Sequence, residues 1–212
     1  MDRRAIEALG AALEGSDRTL LVTSGVALLA QGRVAIEEDA APATSASYPR
    51  ASEAAAAAVA ARGVRAAVVR LPPSVHGHGD HGLCTADRYR AGEGRFRVCG
   101  GRAQTAGRRC IGWTPRGVYR LAFEQGAAGG PYHAIAEEGV ALRDIAELIG
   151  RRLDVPVVAR RGEEAAGHFG WFTLFAGIDA AASSARTRAR LGWQPTQPGL
   201  LEDIENAGYF ER

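Results

Sequence analysis

One glycine-rich loop carries four side chains that could bind a metal or a small ligand. They are His76, His78, Asp80 and His81, and the loop follows an apolar run and two prolines. Imidazole and carboxylate groups are common ligands of zinc and related metals, so their spacing allows a metal site. The glycines between them make the loop flexible, however, and no second cluster supplies further ligands. We therefore predict no metal and interpret the segment as a loop that faces a small ligand.

Two hydroxyl groups could take part in acid–base chemistry, and they are the predicted catalytic residues. Ser24 ends an apolar run, where its hydroxyl could hydrogen-bond a reacting oxygen or cap a helix. Tyr48 could exchange a proton with a substrate hydroxyl, or it could be a surface or packing residue. All basic residues are arginine, so no lysine ammonium lowers the tyrosine pKa, which should stay near about 10.

The elements that would position these residues alternate between helix and strand. Residues 2–13 repeat apolar side chains at helical spacing, and residues 18–23 form a short apolar run typical of a buried parallel strand. An alanine-rich stretch at 52–61 predicts a helix that Gly63 ends, and residues 64–71 predict the next strand. Strand, helix and strand in this order form the βαβ unit of a parallel sheet.

The second half of the chain continues the alternation. Helices are expected at residues 118–125, 140–153, 184–191 and 200–206, strands at 132–136 and 155–158, and packing helices within 163–182. The pattern predicts an α/β protein.

The overall composition excludes several classes of partner. The 212 residues are 46% hydrophobic and 24% charged, which is ordinary for a globular protein. A net charge of +2 is too small to indicate nucleic-acid binding. No apolar run reaches membrane-spanning length and no signal-peptide pattern is present, so we expect no membrane partner and a cytoplasmic location.

Cysteine and arginine usage add two further expectations. Cys84, Cys99 and Cys110 lack paired C-x-x-C spacing, so neither disulfides nor a zinc site are favoured. The exclusive use of arginine, with much alanine and glycine, indicates a GC-rich genome, and we expect a bacterial source.

Four stretches in the correct order resemble the extended and atypical short-chain dehydrogenases/reductases, the NAD-dependent epimerase/dehydratase family. Residues 20–24 resemble the strand that ends in the family's catalytic Ser/Thr, and residues 68–79 its R-P-x-x-v-y-G-p-g loop beside the nicotinamide. Residues 132–136, with the helix that follows, resemble y-n-v-a…t-l-r-e-l-a-e-l-i. Residues 184–195 resemble s-k-a-r-r-e-L-G-w-r-P.

The resemblance implies a Rossmann-like parallel sheet with a small α/β substrate-binding subdomain. It implies NAD or NADP as the cofactor, a small-molecule substrate, and a homodimer as a possible assembly. The residues expected near the nicotinamide or substrate are Pro72, Ser74, Val75 and His76, with Ser24 and Tyr48 as the catalytic pair.

The chain departs from the family at two places. It lacks the G-x-x-G-x-x-G turn that binds the dinucleotide pyrophosphate, and Ser52 stands where the family's Tyr-x-x-x-Lys pair has lysine. We therefore expect an N-terminally truncated protein that binds NAD(P) weakly or not at all. Residues 1–82 would be the second half of the dinucleotide-binding domain, and 118–212 its remaining elements with the substrate subdomain. A non-catalytic binding or scaffold protein and a metal-binding protein are the alternatives.

Residues 83–117 fit neither helical nor strand periodicity, and we interpret them as irregular or translated out of frame. Reading residues 85–99 from the second base of each codon allows PLIAIAREKGVSAYV, which is a helix followed by a strand. Reading residues 104–116 from the third base allows NRWPAVHRLDAAR, which resembles the family's n-x-x-x-x-V-H-x-x-D-x-A segment. A genuine Cys- and Arg-rich insertion is the alternative.

Overall fold

The computed structural model describes residues 2–46, 48–76, 96–99, 110–111, 114–127, 130–160, 162–169, 177–206 and 210. Its strands are β1 (Thr19–Gly25), β2 (Arg65–Leu71), β3 (Val75–His76), β4 (Phe96–Cys99), β5 (Cys110–Ile111), β6 (Tyr132–His133) and β7 (Val157–Arg160). Its helices are α1 (Asp2–Leu13), α2 (Ser52–Ala61), α3 (Thr114–Glu124), α4 (Leu142–Leu153), α5 (Gly162–Phe169), α6 (Ala185–Leu191) and α7 (Leu200–Asn206).

A three-stranded parallel sheet in the order β1-β2-β6 forms the centre of the fold. β1 and β2 pair along their full length, from Thr19 opposite Arg65 to Gly25 opposite Leu71. The two residues of β6 pair with the end of β2. Helix α2 connects β1 to β2, so the predicted βαβ unit and the α/β class are confirmed.

Helices cover both faces of this sheet because alternate strand residues point to opposite sides. One face packs against α1 and α2, and its core residues are Ile6, Val22, Ala55, Ala56, Val59, Val64 and Val68. The other packs against α3 and the segment that contains α6, and its core residues are Ala67, Val69, Val118, Ala122, Ala127, Tyr132, Ala134, Leu191 and Trp193. The result is a three-layer α/β/α arrangement.

A separate apolar cluster joins α4 to α7. Ile145 and Ile149 lie on the buried stripe of α4 and meet Leu200 and Ile204 of α7. Glu137 supports this contact, because its Oε2 accepts a hydrogen bond of 2.8 Å from the backbone N–H of Leu200 at the start of α7.

Several predicted boundaries are wrong. β6 ends at His133 instead of residue 136, and β7 covers Val157–Arg160 instead of 155–158. Within 83–117, where no regular structure was expected, β4 pairs with β7, β5 pairs with β3, and α3 begins at Thr114. Such short strands are stabilised by partners distant in sequence, so local periodicity does not reveal them. In the described residues, no helix has the length and apolar character needed to cross a membrane.

Candidate functional site

The carboxyl ends of β1, β2 and β6 meet at one edge of the sheet, where parallel α/β proteins place their ligands. The register puts Ser24 opposite Arg70 and Arg70 opposite His133. These three residues therefore form one row across the sheet and point to the same face, the face covered by α2. Thr23 and Tyr132 belong to the neighbouring row and point to the opposite face.

Arg70 is the buried charge at the centre of this row, with 2% of its surface exposed. Its Nε and Nη2 atoms donate to the two carboxylate oxygens of Glu53, at 2.9 and 2.7 Å. Its Nη1 atom donates to the carbonyl oxygen of Glu37 at 3.2 Å. A bidentate Arg–carboxylate pair is strong and directional, and here it fastens the first turn of α2 to the end of β2. Because these hydrogen bonds occupy the guanidinium group of Arg70, its role is to stabilise this edge of the sheet.

His133 completes the row and is fully buried. Its Nδ1 lies 2.7 Å from the carbonyl oxygen of Ser183, and its Nε2 lies 3.3 Å from Nη1 of Arg70. A carbonyl can only accept and a guanidinium can only donate, so Nδ1 carries the proton and Nε2 accepts. Burial is the largest effect and lowers the pKa of His133 below its usual value. The Ser183 carbonyl and Glu37 act to raise this pKa, the charge of Arg70 lowers it by less, and Glu53 has the smallest, raising effect.

The connection from β1 to α2, residues 26–51, is fastened to the C-terminal part of the chain. Oε1 of Glu37 accepts hydrogen bonds of 2.7 Å from both the N–H and the hydroxyl of Thr187 in α6. The Thr187 hydroxyl oxygen in turn accepts from the backbone N–H of His133 at 2.7 Å. Glu37 therefore links the loop to α6 and, through its own carbonyl, to Arg70.

Further contacts hold the same loop. Ala35 and Ala182 form a parallel bridge, with Ala35 N–H donating to the carbonyl of residue 181 at 2.8 Å. Glu38 pairs with Arg186 at the beginning of α6. The Arg33 guanidinium and the backbone N–H of Ile36 both donate to Asp39, and they lower the pKa of that carboxyl to about 2.

A second pair of hydroxyls lies on the other face of the edge. Thr23 Oγ1 and the phenol oxygen of Tyr119, on α3, are 2.6 Å apart. Partial burial raises the pKa of Tyr119 above its usual value, although its hydrogen bond with Thr23 acts in the opposite direction. Tyr119 is therefore a neutral phenol at physiological pH, able to donate a proton or a hydrogen bond.

The structure places the two predicted catalytic residues on different elements. Ser24 is half-buried near the end of β1, as expected. Tyr48 lies in the loop 26–51, half-buried, and its backbone N–H donates to the carbonyl and the hydroxyl of Ser45. In the described part of the chain no hydrogen bond joins Ser24 to Tyr48, so their catalytic pairing stays a prediction.

The four residues expected near a cofactor follow β2 directly. Pro72 and Ser74 are buried, whereas Val75 is 40% exposed. Val75 and His76 form β3, and the backbone of His76 pairs with Ile111. The side chain of His76 lies outside the described part of the structure.

The remaining members of the histidine loop, His78, Asp80 and His81, also lie outside the described residues. Among the side chains that the structure does describe, no group of three or more His, Cys, Asp or Glu residues could hold a metal ion. A metal site in the histidine loop therefore stays an untested alternative.

Sequence reasoning missed most of the polar network at this edge. Glu37 and Thr187 are separated by 150 positions and become neighbours only in the fold. One signal was present in the sequence: an arginine in the middle of an apolar strand is rarely buried without a charged partner. The buried Arg70 therefore required a carboxylate, and Glu53 in the first turn of the preceding helix was one candidate.

Two curated proteins are similar to this chain along nearly its whole length. The uncharacterized protein C2A9.02 of Schizosaccharomyces pombe is 37% identical over 212 residues, which cover 99% of this chain and 71% of that protein. The uncharacterized protein YLL056C of Saccharomyces cerevisiae is 38% identical over 207 residues, covering 96% and 68%. This chain belongs to the family of these two proteins. Both relatives are yeast proteins and give no support to the expected bacterial source. The sequence matches no protein-family model.

Among the solved structures that share this fold, several contain a nicotinamide dinucleotide. RMD from Pseudomonas aeruginosa, solved with NADPH, matches with a TM-score of 0.68 and 18% identity, over 98% of this chain and 71% of that one. The UDP-glucuronic acid 4-epimerase from Bacillus cereus, solved with UDP-glucuronic acid and NAD, matches with a TM-score of 0.71 and 13% identity, over 98% and 66%. These similarities show a Rossmann-like α/β fold. The chain spans about two thirds of the length of these two proteins.

Proposed function

We propose that this chain supplies the nicotinamide-side and substrate-side edge of an NAD(P)-dependent oxidoreductase of the epimerase/dehydratase type. The observation that carries the proposal is the edge itself, where three parallel strands end side by side. Ser24 lies near the end of β1, and Pro72 and Val75 come after the end of β2. Its support from outside the chain is the shared fold of enzymes solved with NAD or NADPH.

The residues of the edge fit one half of the cofactor. The side chain of Val75, which is 40% exposed, offers an apolar contact to a flat nicotinamide ring. The other half of the cofactor, the pyrophosphate, has no glycine-rich G-x-x-G-x-x-G turn to bind it within the 212 residues. We therefore propose that the chain alone binds NAD(P) only weakly.

Each predicted residue has a defined role in this proposal. Bound NAD(P) would accept or return a hydride. The hydroxyl of Ser24 would donate a hydrogen bond to the substrate oxygen at the reacting carbon, and Tyr48 would exchange the proton of that oxygen. Tyr119 is a second phenol at the edge, and its hydrogen bond to Thr23 makes it an alternative proton donor.

Saturation-transfer NMR with NADH tests the proposal, because it detects contacts of weakly bound ligands. We expect transfer to the nicotinamide protons that exceeds transfer to the adenine protons. Val75→Glu places a charge beside the proposed ring and should abolish the nicotinamide signal. Leu9→Glu is the matched control, since Leu9 is a 55% exposed apolar residue on α1. Equal nicotinamide signals from the two variants, or transfer confined to adenine, would contradict the assignment.

A non-catalytic small-molecule-binding or scaffold protein of the same fold is the second candidate. The ion pair between Arg70 and Glu53 favours this second candidate, because it stabilises the fold and leaves neither charge available to a substrate. Two observations together would support this second function. One is binding of a sugar nucleotide in the same NMR assay, and the other is the absence of NADH oxidation by the protein.

A further inference from the structure

The loop 26–51 is connected to the edge of the sheet through groups that meet at His133. Arg70 donates to Nε2 of His133 and, from the same Nη1 atom, to the carbonyl of Glu37 in the loop. The His133 backbone N–H donates to Thr187, whose hydroxyl donates to the Glu37 carboxylate. One arm therefore begins at the imidazole of His133 and the other at its backbone N–H, and both end at Glu37.

We propose that His133 is an acid-sensitive latch, which releases loop 26–51 from the edge of the sheet when its Nε2 atom takes up a proton. In the neutral ring, Nε2 is an acceptor for Arg70. Once protonated, Nε2 would be a donor facing the donor Nη1 of Arg70, and two positively charged groups would lie 3.3 Å apart. Exchanging the roles of the ring nitrogens gives no relief, because Nδ1 already donates to the carbonyl of Ser183.

Charged groups from three elements face the imidazole. Arg70 of β2 opposes its protonation, whereas Glu53 of α2 and the loop residues Glu37 and Asp39 favour it. Burial is the largest effect and it also opposes protonation, so the pKa of His133 lies below its value in an open, hydrated state. The closed loop therefore holds a neutral histidine, and the open loop binds a proton more readily.

The sign of the pH dependence follows from this difference. The depressed pKa stabilises the closed loop fully above about pH 6.5, the ordinary pKa of histidine, and less as the pH falls below it. One proton bound only by the open state raises the opening equilibrium at most tenfold per pH unit. Between pH 7.5 and 5.0 the increase is therefore at most about 30-fold.

The latch has one consequence for catalysis, and that consequence rests on the proposed function. Loop 26–51 begins directly after β1, where Ser24 lies, and it contains Tyr48. Release of the loop would separate these two residues, so His133 would be a positioning residue for the reaction and would make no contact with substrate.

Amide hydrogen exchange on the 212-residue chain tests the latch directly. The amides of Ala35 and Thr187 report the closed loop, because they donate to the carbonyl of residue 181 and to Glu37. After correction for intrinsic rates, we expect both to exchange faster at pH 5.0 than at pH 7.5, by up to about 30-fold. His133→Asn keeps a donor for the Ser183 carbonyl and cannot titrate, so it should abolish the pH dependence.

His168→Asn is the matched control, since His168 is an exposed histidine on α5. It should keep the wild-type response. A pH-independent wild-type protein, or a His133→Asn variant with the full wild-type response, would overturn the latch. Failure of NADH binding in the NMR assay would overturn the proposed function and leave the exchange results standing.

Nitrogen NMR of the His133 ring in the unmodified chain makes the test independent of how well the variant folds. We expect the neutral tautomer with hydrogen on Nδ1 at pH 7 and protonation only below pH 6.5, in step with loop opening. The opposite tautomer, or a charged ring at pH 7, would refute the latch.

Discussion

Replacing Glu53 with glutamine should lower the free energy of unfolding by about 3 kcal/mol, because it leaves the buried Arg70 without its counter-ion. The pair is bidentate, and the Arg70 side chain is only 3% exposed. Glutamine has almost the same shape as glutamate, so packing is preserved and the change isolates the charge. One of the two acceptors also becomes an NH2 group, which faces a guanidinium donor.

The size of the effect follows from the burial of the two partners. Removing one member of a buried ion pair costs about 3–5 kcal/mol. The lower end applies here, because the Glu53 side chain is 18% exposed and water can approach its side of the pair. For a chain of this length, 3 kcal/mol corresponds to a fall in Tm of about 6–12 °C.

Urea unfolding followed by fluorescence of the buried Trp193 measures the difference. Glu7→Gln is the matched control, since Glu7 pairs with Arg3 at 3.6 Å on the exposed side of α1. A surface pair of this kind contributes less than about 1 kcal/mol. Equal losses of stability in the two variants would refute the conclusion that Arg70 and Glu53 brace the edge of the sheet.

Three further predictions concern packing, the polar network and the gene. Thr187→Val should cost about 1–3 kcal/mol in urea unfolding, because it leaves the buried His133 amide without its acceptor; an unchanged midpoint would contradict the network. Gly10→Ala should lower the free energy of unfolding in the same assay, because the new Cβ would lie 2.5 Å from Val59. Overpacking of this kind costs about 1–3 kcal/mol, which exceeds the gain in helix propensity. A stabilised variant would show that α1 shifts freely. Resequencing the gene across codons 83–117 should reveal small shifts that restore PLIAIAREKGVSAYV and NRWPAVHRLDAAR, and an uninterrupted frame would refute that reading.

Local sequence patterns predicted the first half of the fold well. The apolar run that became β1, the alanine-rich α2 and the second run that became β2 each carry a strong periodic or compositional signal. The boundaries of β6 and β7 were wrong, because very short strands depend on the neighbour with which they pair. The pairing of β4 with β7 was missed for the same reason.

The sequence by itself determined that Ser24 lies near the carboxyl end of one parallel strand and that Pro72 and Val75 come after the end of the next. Strand order along the chain and the right-handed βαβ connection restrict where those ends lie. Only the tertiary structure decided which polar groups surround that edge. Glu37, His133 and Thr187 come from three distant parts of the chain, and no local pattern marks any of them as a partner of the others. Their hydrogen bonds form because a buried polar group must find a partner, and which partner it finds depends on how the loop and α6 pack in three dimensions.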